Sequence, residues 1–127
     1  MNRITNPCVA LMLLLPFAAS AHHSFAEFDT ESTITLQGVV KEVWFNNPHI
    51  RYYVAVAGED GSEVVWDAHG GAPNRLVRTG WNENTIKVGD KVTLTGNPMH
   101  NRTLRMNLTR VVLADGTTLP RESRQTP

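Results

Sequence analysis

The sequence predicts a small, mostly β domain: a five-stranded barrel with one short helix between its third and fourth strands. Three observations predict it. From Thr33 onward, short runs of β-branched and aromatic residues alternate with polar ones between turn signals. The stretch with helix signals lies between Pro73 and Gly80, after three such runs and before two more. An N-terminal leader of 21 residues leaves 106 of the 127, enough for one modest core and no second.

In the first strand Ile34 and Leu36 share a face, and Gly38 then interrupts the alternation. Val39, Val43 and Phe45 continue in shifted phase, as a strand bent at a glycine bulge would. Asn46-Asn47-Pro48 makes a turn, and Ile50, Tyr52, Val54 and Val56 then alternate with His49, Arg51, Tyr53 and Ala55 to form the second strand. Gly58-Glu59-Asp60-Gly61 reads as a hairpin loop into a third strand from Glu63 to His69, paired antiparallel with the second. There Val64, Trp66 and Ala68 face one way and Val65, Asp67 and His69 the other.

After Gly70-Gly71, Pro73 is placed for a first helical turn and Gly80 for a left-handed stop, so one short helix is expected over Pro73 to Thr79. Lys87-Val88-Gly89-Asp90 turns the chain into Val92, Leu94 and Gly96, the fourth strand. Leu104, Met106 and Leu108 mark a fifth that runs to about Leu113. Asp115-Gly116 is a tight-turn signal, after which Thr117 to Leu119 folds back briefly. Three strands, a helix and two strands is the order of the Greek-key barrel called the OB-fold, and the barrel is expected over residues 33–119. A mobile segment at 22–32 precedes it and a disordered tail at 120–127 follows.

The first 21 residues have the features of an export signal. Arg3 supplies a charged start, Val9 to Leu15 an apolar run, Pro16 a break, and Ala19-Ser20-Ala21 the small residues of a cleavage site. The run is too short to span a bilayer, which takes about 20 apolar residues. Cleavage near Ala21 predicts a periplasmic or secreted protein. Cys8 lies at the start of the apolar run, not at the cut, and leaves with the leader, so the mature chain has no disulfide. Of the 12 basic side chains only Arg3 is lost, while all 12 acidic ones remain, a net charge of −1 with histidines neutral. Such a balance disfavours a polyanion partner.

From about His22 to Leu119 the chain resembles a family of small exported bacterial proteins classed as a domain of unknown function. The resemblance is carried by His22-His23-Ser24-Phe25 after the leader, by Trp44 with Asn47-Pro48-His49, and by Trp66. Pro73-Asn74-Arg75-Leu76 with Arg78, Gly80-Trp81 and Gly89-Asp90 complete it. It differs from that pattern over Asp67 to Gly71, where family members carry a glutamate or other polar residue before a single glycine. The resemblance implies export and the barrel, and supplies no activity.

All five histidines, His22, His23, His49, His69 and His100, fall in the mature chain and are the metal candidates. Cleavage after Ala21 would leave the amine and imidazole of His22 as a bidentate nitrogen chelate, to which a further histidine adds a third ligand. Cleavage after Ser20 would instead give the amine of Ala21, two backbone amides and the His23 imidazole, a square-planar set. Either suits Cu(II), which heads the divalent affinity series for nitrogen ligands. His49 and His69 fall on the polar faces of neighbouring strands with Arg51, Tyr53, Val65 and Asp67. Asp67 beside an imidazole would fix its tautomer. The plainer reading of that face is a solvated surface with ordinary hydrogen bonds. Met99 next to His100 is either a Cu(I) ligand or packing.

Trp44, Phe45, Tyr52, Tyr53, Trp66 and Trp81 read first as core and barrel-end packing, and second as a stacking platform for single-stranded nucleic acid. Charge and export weigh against the second. No phosphate loop, dinucleotide fingerprint, HExxH helix, CxxC pair or Gly-x-Ser-x-Gly elbow is present. Ser24 beside His23 lacks the held geometry of a nucleophile and base, and the two Asn-x-Thr sequons at Asn101 and Asn107 are ascribed to chance. The expectation is therefore a non-enzymatic exported binding module, for a small ligand, copper or another metal ion. An envelope protein-interaction or assembly factor and a small histidine-metal enzyme are the alternatives.

Overall fold

The computed structural model describes residues 26–120. Its elements follow the expected order: β1 Ile34–Trp44, β2 Arg51–Ala57, β3 Glu63–His69, α1 Pro73–Leu76 running into a 3-10 turn at Val77–Thr79, β4 Lys91–Pro98, β5 Arg105–Leu113 and β6 Thr118–Leu119. The strands form one sheet in the order β3-β2-β1-β4-β5-β6, and a parallel pairing of β3 with β5 closes it into a five-stranded barrel. At the closure Asp67 stands opposite Arg105, Ala68 opposite Met106 and His69 opposite Asn107. The short β6 pairs outside β5, with Leu119 fully buried against the core.

The alternation expected for β2 and β3 holds, with Arg51↔His69, Tyr52↔Ala68, Tyr53↔Asp67 and Val54↔Trp66 in antiparallel register. Tyr52, Val54 and Ala68 point into a core shared with Val40, Ile50, Leu94, Met106 and Val111. Each valine, isoleucine, leucine or methionine among them stabilises the fold by about 1.5–3 kcal/mol on burial. Pro73 opens the helical turn, and Gly80 ends it in the left-handed region at φ 79°, as expected. Trp81 follows directly, stacks against Tyr52 with ring centroids 6.2 Å apart, and donates its indole N–H to the Tyr52 hydroxyl at 2.8 Å. Burial pushes the Tyr52 hydroxyl up to about 12.

The bulge in β1 lies elsewhere than expected. The register against β2 shifts between Val40 and Glu42, at Lys41, and not at Gly38. Gly38 answers a different need: a Cβ there would drive into the Ala55 carbonyl oxygen and lie 2.7 Å from Val54 Cγ1, so only glycine lets β1 approach β2 this closely. The displaced bulge puts Val40 in the core in place of Val39 and leaves the phase beyond Lys41 as expected. Val40 and Val43 turn inward, whereas Glu42 and Trp44 turn out to solvent. A second shift, at Thr95 and Gly96 of β4, bends the β4–β5 pair.

In the segment expected to be mobile, Phe28 is 6% exposed and bridges Met99, while the Glu27 carbonyl accepts a hydrogen bond from His100 N at 3.0 Å. Of the expected tail at 120–127, only Pro120 is among the described residues.

Candidate binding face on β1, β2 and β3

Strand register builds this site. Trp44 stands opposite Arg51 and Arg51 opposite His69, making one outward row; Glu42, Tyr53, Asp67 and Arg105 make the next. Asp67, whose side chain is 13% exposed, is the centre. Arg51 donates from Nε to Asp67 Oδ1 at 3.2 Å and from Nη2 to Oδ2 at 2.6 Å, the fork geometry that suits a carboxylate. Arg105 Nε donates to Oδ2 at 2.9 Å, and His69 Nε2 lies 3.2 Å from the same oxygen. The Arg51 guanidinium also lies over the Tyr53 ring, 5.3 Å from its centroid.

Burial works to raise the Asp67 pKa, but the Arg51 hydrogen bond and the neighbouring positive charges outweigh it and hold the carboxyl below its ordinary value. His69 is pushed below its ordinary value, first by burial and then by the two guanidiniums, against the pull of Asp67. The imidazole is therefore neutral at pH 7. The Phe28 ring, centroid 6.3 Å away, covers it. Arg51 and Arg105 are then set against Asp67 and Glu42, so the face carries no net charge.

Beyond the cluster the face exposes two large apolar side chains beside the Lys41–Glu63 ion pair. Trp44 is 47% exposed, its indole N–H donating to Glu42 Oε1 at 2.5 Å, and Val65 is 46% exposed. Trp44 thus departs from the expected packing role, since it lies out of phase with Val43 and Phe45, which pack against the core. Of the other expected packing residues, Tyr52 and Trp81 are buried and Phe45 and Trp66 pack against the core, whereas Tyr53 stands on the outer face beneath Arg51.

The metal candidates separate. His22 and His23 lie outside the described residues. His49 precedes β2 and is half-buried, His69 is bound to Asp67, and His100 is exposed in the β4–β5 loop. Among the described residues, no three His, Cys, Asp or Glu side chains converge on a point that could hold a metal ion. The histidine-metal enzyme reading draws no site from them. Met99 is 9% exposed, its sulfur 3.0 Å from the Thr103 hydroxyl oxygen, a packing role. In the sequence Arg105 counts only among the few basic residues Arg102, Arg105 and Arg110; its outward position between Leu104 and Met106 was legible, but its meeting with Asp67 depends on the β3–β5 closure.

No helix among the described residues is long and apolar enough to cross a membrane. In comparison with known proteins, no curated sequence matches. The barrel is similar to a solved structure of the mitochondrial single-stranded DNA binding protein Rim1 from S. cerevisiae, with TM-score 0.50 and 13% identity over 65% of this chain and 93% of that one. A second crystal form of Rim1 gives TM-score 0.48 and 14% identity, over 65% and 92%. Likeness at this identity is a likeness of fold. The model of the family of unknown function DUF6152 matches residues 11–106, and the chain belongs to that family.

Proposed function

We propose that this chain is an exported, non-catalytic binding module of the bacterial envelope that holds a protein partner against the outer face of β1, β2 and β3. The observation that carries the reading is the make-up of that face. Trp44, Arg51 and Tyr53 lie side by side across two strands with exposed Val65 beyond them. Tryptophan, tyrosine and arginine are the residue types that dominate binding energy at protein interfaces. Rim1 is named for binding single-stranded DNA, but a polyphosphate ligand wants a net positive groove, and here two carboxylates offset the two guanidiniums. Export rests on the leader sequence.

The test places a photocrosslinking residue at Trp44, at Val65, or at exposed Val88 in the turn before β4, in protein expressed in its own host. A discrete adduct from the two face positions and none from Val88 is expected. No adduct from the face, or the same adduct from all three, contradicts the reading.

One observation supports a second reading, copper binding at the mature N-terminus. The pairings of Glu27 with His100 and of Phe28 with Met99 anchor the chain four residues after His23. Four residues reach at most about 14 Å, enough for His22 or His23 to share an ion with His100. Cu(II) titration of the mature chain should lose tight binding on His22→Ala with His23→Ala, and weaken about tenfold on His100→Ala. Unchanged affinity in the double variant ends this reading.

A further inference from the structure

A separate cavity of about 710 Å³ opens on the other side of the β4–β5 loop. Its walls are Ile34, Leu36, Trp66 and Leu104, and its rim carries Asp29, His100 and Arg102. The volume falls in the range that holds small organic ligands, and the lining has their usual pattern of apolar walls with a few polar groups. Leu104 is 44% exposed at the mouth, an apolar side chain left half in water.

Arg102 gives the cavity its chemistry. It is the one non-glycine residue with positive φ, 60°, among the described residues. Glycine or asparagine takes that conformation far more readily than arginine, and residues held this way cluster at functional sites. The loop around it is locked: Arg102 N donates to the Met99 carbonyl at 3.1 Å, and Asn101 Oδ1 accepts both the Thr103 N–H and hydroxyl at 3.1 and 2.9 Å. No hydrogen bond or ion pair engages the Arg102 guanidinium among the described residues, although it has five N–H donors. The rim's carboxylate is differently placed, since Asp29 already accepts the Ser32 hydroxyl at 2.5 Å and Glu31 N at 3.1 Å.

We propose that this cavity binds an amphipathic monoanion, with its apolar or aromatic body against Trp66 and Leu36 and its carboxylate or sulfonate on Arg102. The site is distinct from the face formed by Trp44, Arg51 and Tyr53. Trp66 is on β3 with Val64 and Ala68, on the opposite side of the strand from Asp67.

The probe is 1-anilinonaphthalene-8-sulfonate, titrated by fluorescence into the folded mature protein, with decanoate as competitor. Saturable one-to-one binding that decanoate displaces is expected. Leu104→Glu should weaken it about tenfold and Arg102→Gly about three- to tenfold. The Arg102→Gly variant should melt no lower than the parent, because glycine relieves the strained φ; loss of binding with stability kept separates a ligand contact from a structural one. The proposal is overturned by absence of saturable binding, by unchanged affinity in either variant, or by tighter binding of 1-naphthylmethylammonium, which would assign the rim to Asp29.

Discussion

Asp67 is the carboxylate on which three strands converge, and replacing it with asparagine tests that role. Arg51 of β2 and Arg105 of β5 both bond to it, through three charge-assisted hydrogen bonds of 2.6–3.2 Å, and His69 lies against it on β3. A hydrogen bond to a charged group contributes roughly 1.5–3 kcal/mol when well buried. The arginine side chains are 32% and 37% exposed, and solvent screening brings each contribution well below that range. Asp67→Asn keeps one acceptor but leaves two guanidiniums facing each other without a counter-charge. The loss should be about 2–3 kcal/mol, or roughly 10–20 °C in melting temperature for a domain of this size. Arg105→Ala leaves the Arg51 fork intact and should lose about 1 kcal/mol or less. Urea unfolding at pH 7 measures both. A loss under about 0.5 kcal/mol for Asp67→Asn, or one smaller than that of Arg105→Ala, refutes the claim that this carboxylate ties the closure together.

Gly38→Ala puts a methyl into the β2 backbone at Ala55, which cannot swing aside, and should lose about 2–3 kcal/mol by urea unfolding; a loss under about 0.5 kcal/mol would show that the strands separate freely. Trp81→Phe keeps the stacked ring but strands the buried Tyr52 hydroxyl, a loss of about 1–3 kcal/mol that Tyr52→Phe in the same background should largely restore. His69 has a folded pKa below its unfolded value of 6.5, so the unfolded chain binds the extra proton and stability falls as pH drops below about 6.5. Asp67, also depressed, adds a second loss below its unfolded 3.8, complete once pH has fallen through the folded value. The His69→Asn variant should show a flatter stability profile between pH 7 and 5, and an unchanged slope would contradict the assignment.

The elements were legible because local signals and the final fold agree. Alternation marks β2 and β3, Pro73 and Gly80 bracket the helical turn, and Asp115-Gly116 sends the chain back as β6. What alternation could not supply is where a bulge falls. Gly38 and Lys41 both lie in β1, and glycine is the commoner bulge signal, but Gly38 is required by a close strand contact visible only in three dimensions. That difference of three residues decides that Val40, not Val39, enters the core, while Trp44 lies out of phase with Val43 and Phe45 under either placement. In the candidate site, Arg51, Tyr53, Asp67 and His69 were readable as one polar face, since antiparallel pairing of consecutive strands follows from a short hairpin. Arg105 was not, because a parallel pairing between β3 and β5 brings together residues 38 positions apart with no local signature. Phe28 was missed for a similar reason: its cover over His69 depends on a single bridge to Met99.

The most direct test of the binding-module account is native mass spectrometry of the protein recovered from its host's envelope, parent beside Trp44→Ala. The account predicts a mature chain that begins at His22, carried in a stoichiometric complex with one protein partner, and a Trp44→Ala chain that is processed alike but recovered alone. A parent chain with its leader intact, a processed parent without any partner, or an undiminished complex in the variant would contradict it.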